Sequence, residues 1–484
     1  MKKQIKIAAF FIFSMLVMLA LPSLTSAQFI EVNGGIKNEY EYEEYVFLTG
    51  RPVLMRGEGK DISVTIKETN TTRTETYNLK LKGSNGETLT RRATYTYDVK
   101  LDGSGSQKTN TTTKVTVTET VKIGSTTFTL ADYRFEKSIL TQLFPANEYF
   151  ASSGNIRKTY TYKNLAGKES KIVANGQMRS DGYENFWGSV ETQIVEWEYI
   201  HGVDTANETR SYVRTKSSHA KTKTLSYEES LASLSSFEGG WMTNVESETI
   251  SEYTYDFGAF TEQKGTVELG KEYMTTVERL PVAKYRDIAN ASSREAIEKM
   301  FALSILNDTS NFFSPNTPML RYDFIVSLGK AIDIRTDQQG NTKSTGDKQV
   351  IFKDVSRTKK DYEYLVAAYK HGVTTGRTAT TFDPNSTLTR EQAAAMLVRA
   401  LGLEGKAPDP GYKTKFTDDA KISSYARDSV YVATELGLIK GSNGKFNPKG
   451  QLTRSQAMSL IERFLEYLEK DLKQNYREDI WFFE

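Results

Sequence analysis

Cysteine is absent from all 484 residues of this chain. Its absence excludes disulfide bonds, thiol catalysis, thiolate metal sites and lipid attachment to cysteine, and it suits an exported protein that folds without oxidative help. Histidine is scarce as well, with three residues in total. His201 and His219 are too few for a metal site, and we interpret them as surface residues of a polar sheet. We therefore predict no metal and no cofactor.

The chain has no large excess of either charge, because its 63 Lys and Arg residues nearly balance its 61 Asp and Glu residues, which gives a net charge of +2. This balance gives no reason to expect a nucleic-acid partner. Hydrophobic residues make up 38% of the chain and aromatic residues 11%, which is adequate for globular cores. The length allows more than one domain.

Long apolar stretches are lacking except at the N-terminus. There residues 7–21 are interrupted only by Ser14, follow three lysines and precede a group of small residues. This pattern predicts a signal peptide, residues 1–27, cleaved after Ala27. A transmembrane anchor is the alternative, but the apolar stretch is shorter than the ~20 residues needed to cross a bilayer. Loss of the three lysines changes the net charge from +2 to −1, and retention of the mature chain then requires other means.

Residues 28–281 are rich in Thr, Tyr, Val, Lys and Glu, and apolar and polar positions alternate as in half-buried antiparallel strands. Alternating stretches occur at 63–67, 76–82, 93–101, 114–121, 158–163, 188–199, 209–216, 246–257 and 265–278. Turn signals at 83–86 and 102–105 separate the first of them. We predict an all-β antiparallel domain, a sandwich or an open barrel, with a short helix at 138–151 between two halves.

Two glutamates near aromatic residues are the catalytic candidates in this β-rich part. Glu196 and Glu198 lie on the same strand face, about 7 Å apart, and paired carboxylates serve as acid and base in glycosidases. Trp197 and Tyr199 point to the opposite face, so we interpret the glutamates as a solvated outer face. The Tyr- and Glu-rich segment 40–45 is interpreted as an edge strand rather than a binding motif.

The C-terminal part of the chain repeats itself. Three short motifs recur with an offset of 64 positions, and an upstream copy has the same order of parts with wider offsets. The first motif is Phe352-Lys353-Asp354-Val355, which recurs as Phe416-Thr417-Asp418-Asp419 and has the upstream counterpart Tyr285-Arg286-Asp287-Ile288. The second is Phe382-Asp383-Pro384-Asn385, which recurs as Phe446-Asn447-Pro448-Lys449 and upstream as Phe313-Ser314-Pro315-Asn316. The third is Leu388-Thr389-Arg390, which recurs as Leu452-Thr453-Arg454 and upstream as Leu320-Arg321. Internal repeats of this length predict stacked supersecondary units.

Each copy has the pattern of two amphipathic helices. One apolar stripe with helical spacing is formed by Tyr362, Leu365, Val366 and Tyr369. A second helix is predicted to begin after Thr389, because Thr389 and Gln392 have the spacing of a capping box, which Thr453 and Gln456 repeat. Such hairpins bury their apolar faces only against one another.

These motifs resemble the S-layer homology domain, with which many Gram-positive bacteria hold secreted proteins on the cell wall. The family pattern is an aromatic-x-Asp-hydrophobic opening, a helix, a Gly-containing loop, an aromatic-x-Pro turn and a second helix that begins with Thr-Arg. The resemblance implies repeats at 282–340, 349–405 and 413–470 in an all-α pseudo-threefold bundle. We predict a charged helical extension at 471–484.

The arginine after each cap lies in the first turn of a helix, where free amides already make the helix end positive. A helix start and a guanidinium group together are suited to an anion. The resemblance implies that Arg321, Arg390 and Arg454 contact a secondary cell-wall polysaccharide with ketal-linked pyruvate. An isolated arginine is more simply a surface residue paired with an acid, worth at most about 1 kcal/mol; its recurrence favours ligand contact.

Other residues of the family pattern complete the expected clefts between repeats. They are Tyr425, Thr389, Thr453, Gly372, Gly376, Gly437 and Gly441. The upstream copy has Leu320 where Thr belongs and Ser304 where Gly belongs, so we rank the cleft of Arg454 and Tyr425 first and treat that of Arg321 as structural.

We predict a non-enzymatic, exported cell-surface protein, held non-covalently on the cell wall by its repeats and displaying a β-rich domain of unknown role. One alternative is a wall-anchored glycan hydrolase with its catalytic site in the β-rich part. Another is a surface-layer subunit that associates with itself into a lattice.

Overall fold

The computed structural model describes residues 32–37, 40–103, 105–164, 167–203, 205–229, 239–272, 276–306, 310–336, 351–408 and 413–471. The predicted signal peptide and the predicted extension beyond residue 471 lie outside these residues.

The β-rich part forms one antiparallel sheet of fifteen strands. The strands are β1 Ile36–Lys37, β2 Glu41–Val46, β3 Val53–Glu58, β4 Ile62–Glu68, β5 Thr72–Lys82, β6 Thr88–Leu101, β7 Gln107–Ile123, β8 Thr126–Leu143, β9 Asn147–Lys163, β10 Glu169–Asn185, β11 Gly188–His201, β12 Thr209–Glu228, β13 Gly240–Asp256, β14 Lys264–Glu272 and β15 Thr276–Arg279. Successive strands are neighbours along most of the sheet, while β4 pairs with β5 beside β3, and β15 pairs with β13 beside β14. The prediction of an all-β antiparallel region is confirmed.

The two ends of the sheet come together. The hydroxyl of Tyr253 in β13 donates to the carbonyl of Gly34, 2.6 Å away, and the hydroxyl of Thr261 donates to the carbonyl of Gly50 at 2.7 Å. The ring centroids of Tyr45 and Tyr253 are 5.4 Å apart. The molecule thus has one sheet that curls on itself, where the sequence left a sandwich and an open barrel as alternatives.

The helix predicted at 138–151 is wrong. These residues belong to β8 and β9, which pair with each other across the turn from Leu143 to Asn147. Inward positions alternate through β8, including Phe135, Lys137 and Thr141. Pairing with neighbouring strands on both sides therefore overrides any local helical preference.

The prediction that residues 40–45 form an edge strand is also wrong, because β2 pairs with β1 on one side and β3 on the other. Glu44 in β2 is fully buried. Its carboxylate accepts two hydrogen bonds from Arg91 of β6, at 2.7 and 2.8 Å. The segment is thus part of the interior of the curled sheet.

The described residues of the C-terminal part form three helix pairs. They are α1 Arg294–Ala302 with α2 Arg321–Ala331, α3 Tyr362–Lys370 with α4 Arg390–Leu401, and α5 Arg427–Glu435 with α6 Arg454–Glu466; one π-helical turn, Tyr467–Asp471, continues α6. Helix α2 packs on α3, α4 on α5 and α6 on α1. Each second helix therefore contacts the first helix of another pair.

A ring of backbone hydrogen bonds joins the segments that precede α2, α4 and α6. The amide of Met319 donates to Leu452 at 2.8 Å, that of Leu452 to Leu388 at 2.9 Å, and that of Leu388 to Met319 at 2.8 Å. Because each of these residues both donates and accepts, the three pairs are linked in a closed circuit.

The sheet docks on the ends of these helices. The amide of Ala146, in the β8–β9 turn, donates to the carbonyl of Ala400 near the end of α4 at 2.9 Å, and the side-chain amide of Asn185 donates to Leu468 at 3.2 Å. Tyr149 and Trp187 of the sheet belong to the same hydrophobic core as the helices. The sheet and the helix pairs therefore share a core. Among the residues described, no helix has the length and apolarity needed to cross a membrane.

Gly402, which ends α4, allows a test of this docking. Its φ is 72°, and a Cβ there would overlap the ring of Phe144 in the β8–β9 turn. We expect Gly402→Ala to lower the free energy of unfolding in urea by about 2–4 kcal/mol, through backbone strain and steric overlap. Gly405→Ala is the control, because Gly405 has φ 91° but open space around it, and we expect about 1 kcal/mol. Equal losses would contradict a tight contact at Phe144.

Candidate ligand-binding clefts between the helix pairs

Each predicted arginine is the first residue of a second helix and reaches across to the next helix pair. Its Nε donates to a phenylalanine carbonyl there, and its guanidinium group lies over the ring of the same phenylalanine. The contacts are Arg321 to Phe382 (3.2 Å to the carbonyl, 4.9 Å to the ring centroid), Arg390 to Phe446 (2.8 and 5.1 Å) and Arg454 to Phe313 (2.9 and 4.6 Å). The arginines thus join the pairs through hydrogen bonds and cation–π contacts.

The aspartate of each opening motif fixes the turn that carries this phenylalanine. Its carboxylate accepts from the amide of the phenylalanine and from the next amide. The distances are 2.8 and 2.7 Å at Asp287, 2.9 and 2.7 Å at Asp354, and 2.8 and 2.8 Å at Asp418. The residue after the phenylalanine has a positive φ in every copy, between 56° and 61°. The carboxylate therefore holds a turn of unfavourable backbone geometry.

A second aromatic ring supports the phenylalanine from within its own copy. The centroids are 5.6 Å apart for Tyr285 and Phe313, 5.5 Å for Phe352 and Phe382, and 5.5 Å for Phe416 and Phe446. A Cβ at Gly376 would overlap the ring of Phe352, and one at Gly441 that of Phe416. These two predicted site glycines are thus required for the close approach of a loop to the aromatic pair.

The expectation of free amides at the helix starts is wrong for the first two amides of each helix, which donate to carbonyls of the next pair. The first amides are those of Arg321 to Ser386 (3.0 Å), Arg390 to Gly450 (3.0 Å) and Arg454 to Thr317 (2.9 Å); the second are Tyr322 to Pro384 (3.3 Å), Glu391 to Pro448 (3.1 Å) and Ser455 to Pro315 (3.0 Å). An anion therefore has to be recognised mainly by the outer guanidinium nitrogens and neighbouring side chains.

The predicted threonines stabilise the helix starts. Thr453 forms a complete capping box with Gln456, with hydrogen bonds of 3.1 and 3.2 Å, and Gln392 accepts from the amide of Thr389 at 3.1 Å. The predicted Gly372 and Gly437 follow α3 and α5 with φ of 75° and 70°, and open space surrounds both. Their glycine character therefore serves the helix ends.

The three arginines differ in exposure. Arg321 is only 5% exposed, whereas Arg390 and Arg454 are half-buried. Burial lowers the pKa of Arg321 and of Arg390. Arginine nevertheless stays charged in proteins. Arg390 and Arg454 are thus more accessible to a ligand than Arg321.

Two residues expected in one cleft lie at different boundaries. Arg454 contacts the first helix pair, as described above, whereas Tyr425 donates to Glu391 of the second pair at 3.1 Å. Arg390 reaches the same boundary, because its Nη2 donates to the carbonyl of Lys440, next to Gly441, at 2.9 Å. The structure therefore combines Tyr425 and Gly441 with Arg390.

The prediction of surface histidines in the sheet is wrong, because His201 and His219 are both buried. His201 shares a 2.9 Å hydrogen bond with the hydroxyl of Ser211, and His219 one of 2.7 Å with that of Thr249. Burial lowers the pKa of each histidine to about 4. Both occupy inward positions of strands, which the alternation of neighbouring residues could have shown.

The interpretation of Glu196 and Glu198 as an outer face is confirmed. The side chain of Glu196 is 61% exposed and lies 3.8 Å from Arg214, and Glu198 pairs with Arg210 at 2.6 Å. Trp197, between them, is buried on the opposite face. Both glutamates thus belong to ion pairs with arginines of the neighbouring strand β12.

Sequence reasoning missed a buried ionic cluster inside the curled sheet. Glu119 accepts hydrogen bonds from Arg91 and from the hydroxyl of Tyr160. Burial alone would raise the pKa of Glu119, but Arg91 and Lys158 hold it at about 2. The adjoining cavity of about 30 Å³ has room for one or two waters. The signal in the sequence was a charged residue at an inward position between Leu89 and Ala93.

Comparison with known proteins identifies two of the helix pairs. Residues 351–394 and 415–458 match the family model of the S-layer homology domain. These ranges contain α3 and α5 with the beginnings of α4 and α6, including Arg390 and Arg454. The chain thus carries S-layer homology domains in its second and third helix pairs.

Curated relatives include enzymes and surface-layer proteins. An endoglucanase of Bacillus sp. (strain KSM-635) is 35% identical over 172 residues, which are 35% of this chain and 17% of that protein. A surface-layer 125 kDa protein of Lysinibacillus sphaericus is 29% identical over 36% of this chain and 14% of its own length. An amylopullulanase of Thermoanaerobacterium thermosulfurigenes is 27% identical over 45% and 11%. The chain therefore spans less than a fifth of each relative, and it is similar to them in part only.

The family match and the surface-layer relatives agree on location. A chain with S-layer homology domains and relatives of this kind is a secreted, cell-wall-associated protein.

The turn held by Asp418 gives a pH test. Burial opposes ionisation, but the amides of Phe446 and Asn447 lower the pKa of Asp418. The stabilisation is therefore complete above the unfolded value of about 3.9 and is lost as pH falls through the lower folded value. We expect the urea midpoint of the wild type to fall as pH decreases from about 4 to about 2, and Asp418→Asn to show a shallower fall. Glu404→Gln, on an exposed acid, should keep the wild-type slope; identical slopes for Asp418→Asn and the wild type would contradict the assignment.

Proposed function

We propose that this protein is retained non-covalently on the cell wall by its helix pairs and displays the curled sheet outside the wall. One observation carries the proposal. Each of the two segments that match the S-layer homology family contains an arginine, Arg390 or Arg454, that lies half-buried at a boundary between helix pairs. Retention by these segments requires no catalysis, and we propose no enzymatic activity for the chain.

The three helix pairs are proposed to form a pseudo-threefold bundle, with the first pair as a third repeat. Support comes from the closed circuit of Met319, Leu388 and Leu452, and from the contact of Arg454 with Phe313 of the first pair. The first pair repeats the contacts of the other two although Leu320 replaces the capping threonine.

The proposed ligand is a secondary cell-wall polysaccharide with ketal-linked pyruvate. A pyruvate ketal carries a carboxylate, and a guanidinium group whose Nε is already fixed to the protein can offer its outer nitrogens to that carboxylate with little loss of entropy. The residues proposed to contact or shape the site are Arg390, Arg454, Arg321, Tyr425, Thr389, Thr453, Gly372, Gly376, Gly437 and Gly441.

The variety of relatives supports the separation of roles within the chain. The chain resembles only parts of an endoglucanase, an amylopullulanase and a surface-layer protein, and such a resemblance does not by itself determine any one of those activities. We propose that the helix pairs are the anchor and that the sheet carries whatever is particular to this protein.

A second candidate function is glycan hydrolysis at the wall, which the names of the endoglucanase and exoglucanase relatives favour. In that case the sheet would hold the catalytic acid and base. Glu196 and Glu198 are the pair to test, and loss of wall-glycan turnover in Glu196→Gln would establish this candidate. A third candidate, favoured by the surface-layer names, is a lattice subunit; ordered arrays of the full chain in electron microscopy would establish it.

Binding to isolated wall sacculi tests the anchor. We expect the full chain to sediment with native sacculi and to remain in solution with sacculi that lack pyruvate ketals. Arg390→Ala and Arg454→Ala should each weaken binding about tenfold or more, because a hydrogen bond to a charged group contributes about 1.5–3 kcal/mol. Arg357→Ala, on an exposed arginine outside the clefts, should bind as the wild type does.

The urea midpoint of each variant separates lost binding from lost folding, since the same arginines join the helix pairs. Sedimentation of the wild type with both kinds of sacculi would contradict the pyruvate ligand. Failure with both would contradict the anchor itself.

A further inference from the structure

The three boundaries share the contact between arginine and phenylalanine but differ at the residue after the arginine. At the first boundary the hydroxyl of Tyr322 donates to the carbonyl of Lys360 at 2.7 Å, and the ammonium group of Lys359 lies 4.1 Å from the centroid of its ring. At the boundary of α6 and α1 the hydroxyls of Ser455 and Ser293 share a hydrogen bond. A tyrosine or a serine is therefore sufficient to close these two boundaries.

At the remaining boundary this position is Glu391, which is 2% exposed. Its carboxylate accepts hydrogen bonds from the amide of Ser423 at 3.1 Å, the hydroxyl of Ser423 at 3.0 Å, the hydroxyl of Tyr425 at 3.1 Å and the ammonium group of Lys449. We name Glu391, Ser423, Tyr425 and Lys449 the Glu391 cluster. Every donor of this cluster comes from the third helix pair or the segment before it.

A buried carboxylate is costly unless partners fully satisfy it. Because the other two boundaries close without one, assembly of the helix pairs does not account for Glu391. Its donors are also unusual for a structural cluster, since Tyr425 is 49% exposed and the side chain of Lys449 is 58% exposed. The carboxylate thus fixes an exposed ring and an exposed cation that would otherwise move freely.

Arg390 adds a second cation at this boundary. Its Nε and Nη2 are engaged with Phe446 and Lys440, and its Nη1 has no hydrogen bond to the residues that the structure describes. The phenol of Tyr425 is also close enough to Arg321 to counter the fall in the pKa of that arginine caused by burial. Arg390 and Lys449 thus lie at the same boundary, where Asp418 is close enough to raise the pKa of Arg390 against the effect of burial, and Arg321 lies near Tyr425.

We propose that the boundary between the second and third helix pairs is the principal ligand cleft, and that Glu391 is its positioning residue, which holds Lys449 and Tyr425 at the boundary that Arg390 also reaches, for an acidic saccharide. The ammonium and guanidinium groups would bind the carboxylate, and the tyrosine ring would contact the pyranose. This inference rests on the proposed function, and it assigns the cleft to Arg390 rather than Arg454. Pre-organisation of long side chains reduces the entropy lost on binding.

The test uses the full chain and native sacculi, with sacculi stripped of their polysaccharide as the blank. Glu391→Gln keeps an acceptor for Ser423 and Tyr425 but removes the charge that holds Lys449. We expect Glu391→Gln and Lys449→Met each to weaken binding about tenfold, and the double variant to lose little more, because both changes remove the same positioned cation. Lys449→Arg should restore most of the binding.

A salt titration adds a readout that a merely structural role would leave unchanged. Binding by the wild type should fall as salt rises, and the slope should be smaller in Lys449→Met, which lacks one cation of the site. Glu462→Gln is the matched control, because Glu462 pairs with Lys299 at the boundary of α6 and α1; it should bind with the wild-type affinity and slope.

The outcomes distinguish this inference from the proposed function. No binding of the wild type to native sacculi overturns the proposed function. Binding of the wild type that Lys449→Met leaves unchanged overturns the inference alone, as does a loss confined to Arg454→Ala. Should Glu391→Gln or Lys449→Met shift the urea midpoint, the double variant decides, since it removes both charges and leaves no unpaired carboxylate in the interior; wild-type binding by the double variant would overturn the inference.

Discussion

The contact of an arginine with the carbonyl and ring of a phenylalanine in the next helix pair is the interaction on which the helical part depends. It occurs three times and closes a circuit, so no pair has a free boundary of this kind among the described residues. Each phenylalanine is in turn fixed by an aspartate and a second ring of its own copy. The clefts between pairs therefore exist only when all three pairs are assembled, so the binding that we propose there is coupled to folding.

The arrangement of the helix pairs also determines the position of the sheet relative to the clefts. Arg390 begins α4, and Ala400 near its end accepts a hydrogen bond from the β8–β9 turn. With a rise of about 1.5 Å per residue, the two ends of this helix are roughly 15 Å or more apart. The contact of Asn185 with Leu468, just after α6, follows the same plan. The arginine clefts and the sheet thus lie at opposite ends of the same helices, so a ligand at one end leaves the sheet unobstructed at the other.

The elements that could be predicted are those whose pattern is visible in the sequence itself. The 64-residue offset, the capping pair Thr453 and Gln456, and the alternation within β5, β6 and β7 are local patterns, and each led to the observed element. The helix at 138–151 failed because these residues form the two arms of one hairpin, whose outer sides pair with β7 and β10. The free amides at the helix starts failed because their true partners are distant in the sequence. The amide of Arg454, for example, donates to Thr317, and no pattern around either residue reveals this.

Buried carboxylates occur in both parts of the molecule, and the exposure of their donors separates their roles. Glu119 inside the sheet is satisfied by Arg91 and Tyr160, which are themselves buried. Such a cluster fixes how distant strands meet, and the adjoining cavity of about 30 Å³ has room for one or two waters. Glu391 is equally buried, but Tyr425 and Lys449 are both exposed. A buried carboxylate that accepts hydrogen bonds from exposed side chains fixes the positions of those side chains on the surface. Because desolvation of the carboxylate costs free energy, the rigid surface that results is suited to binding.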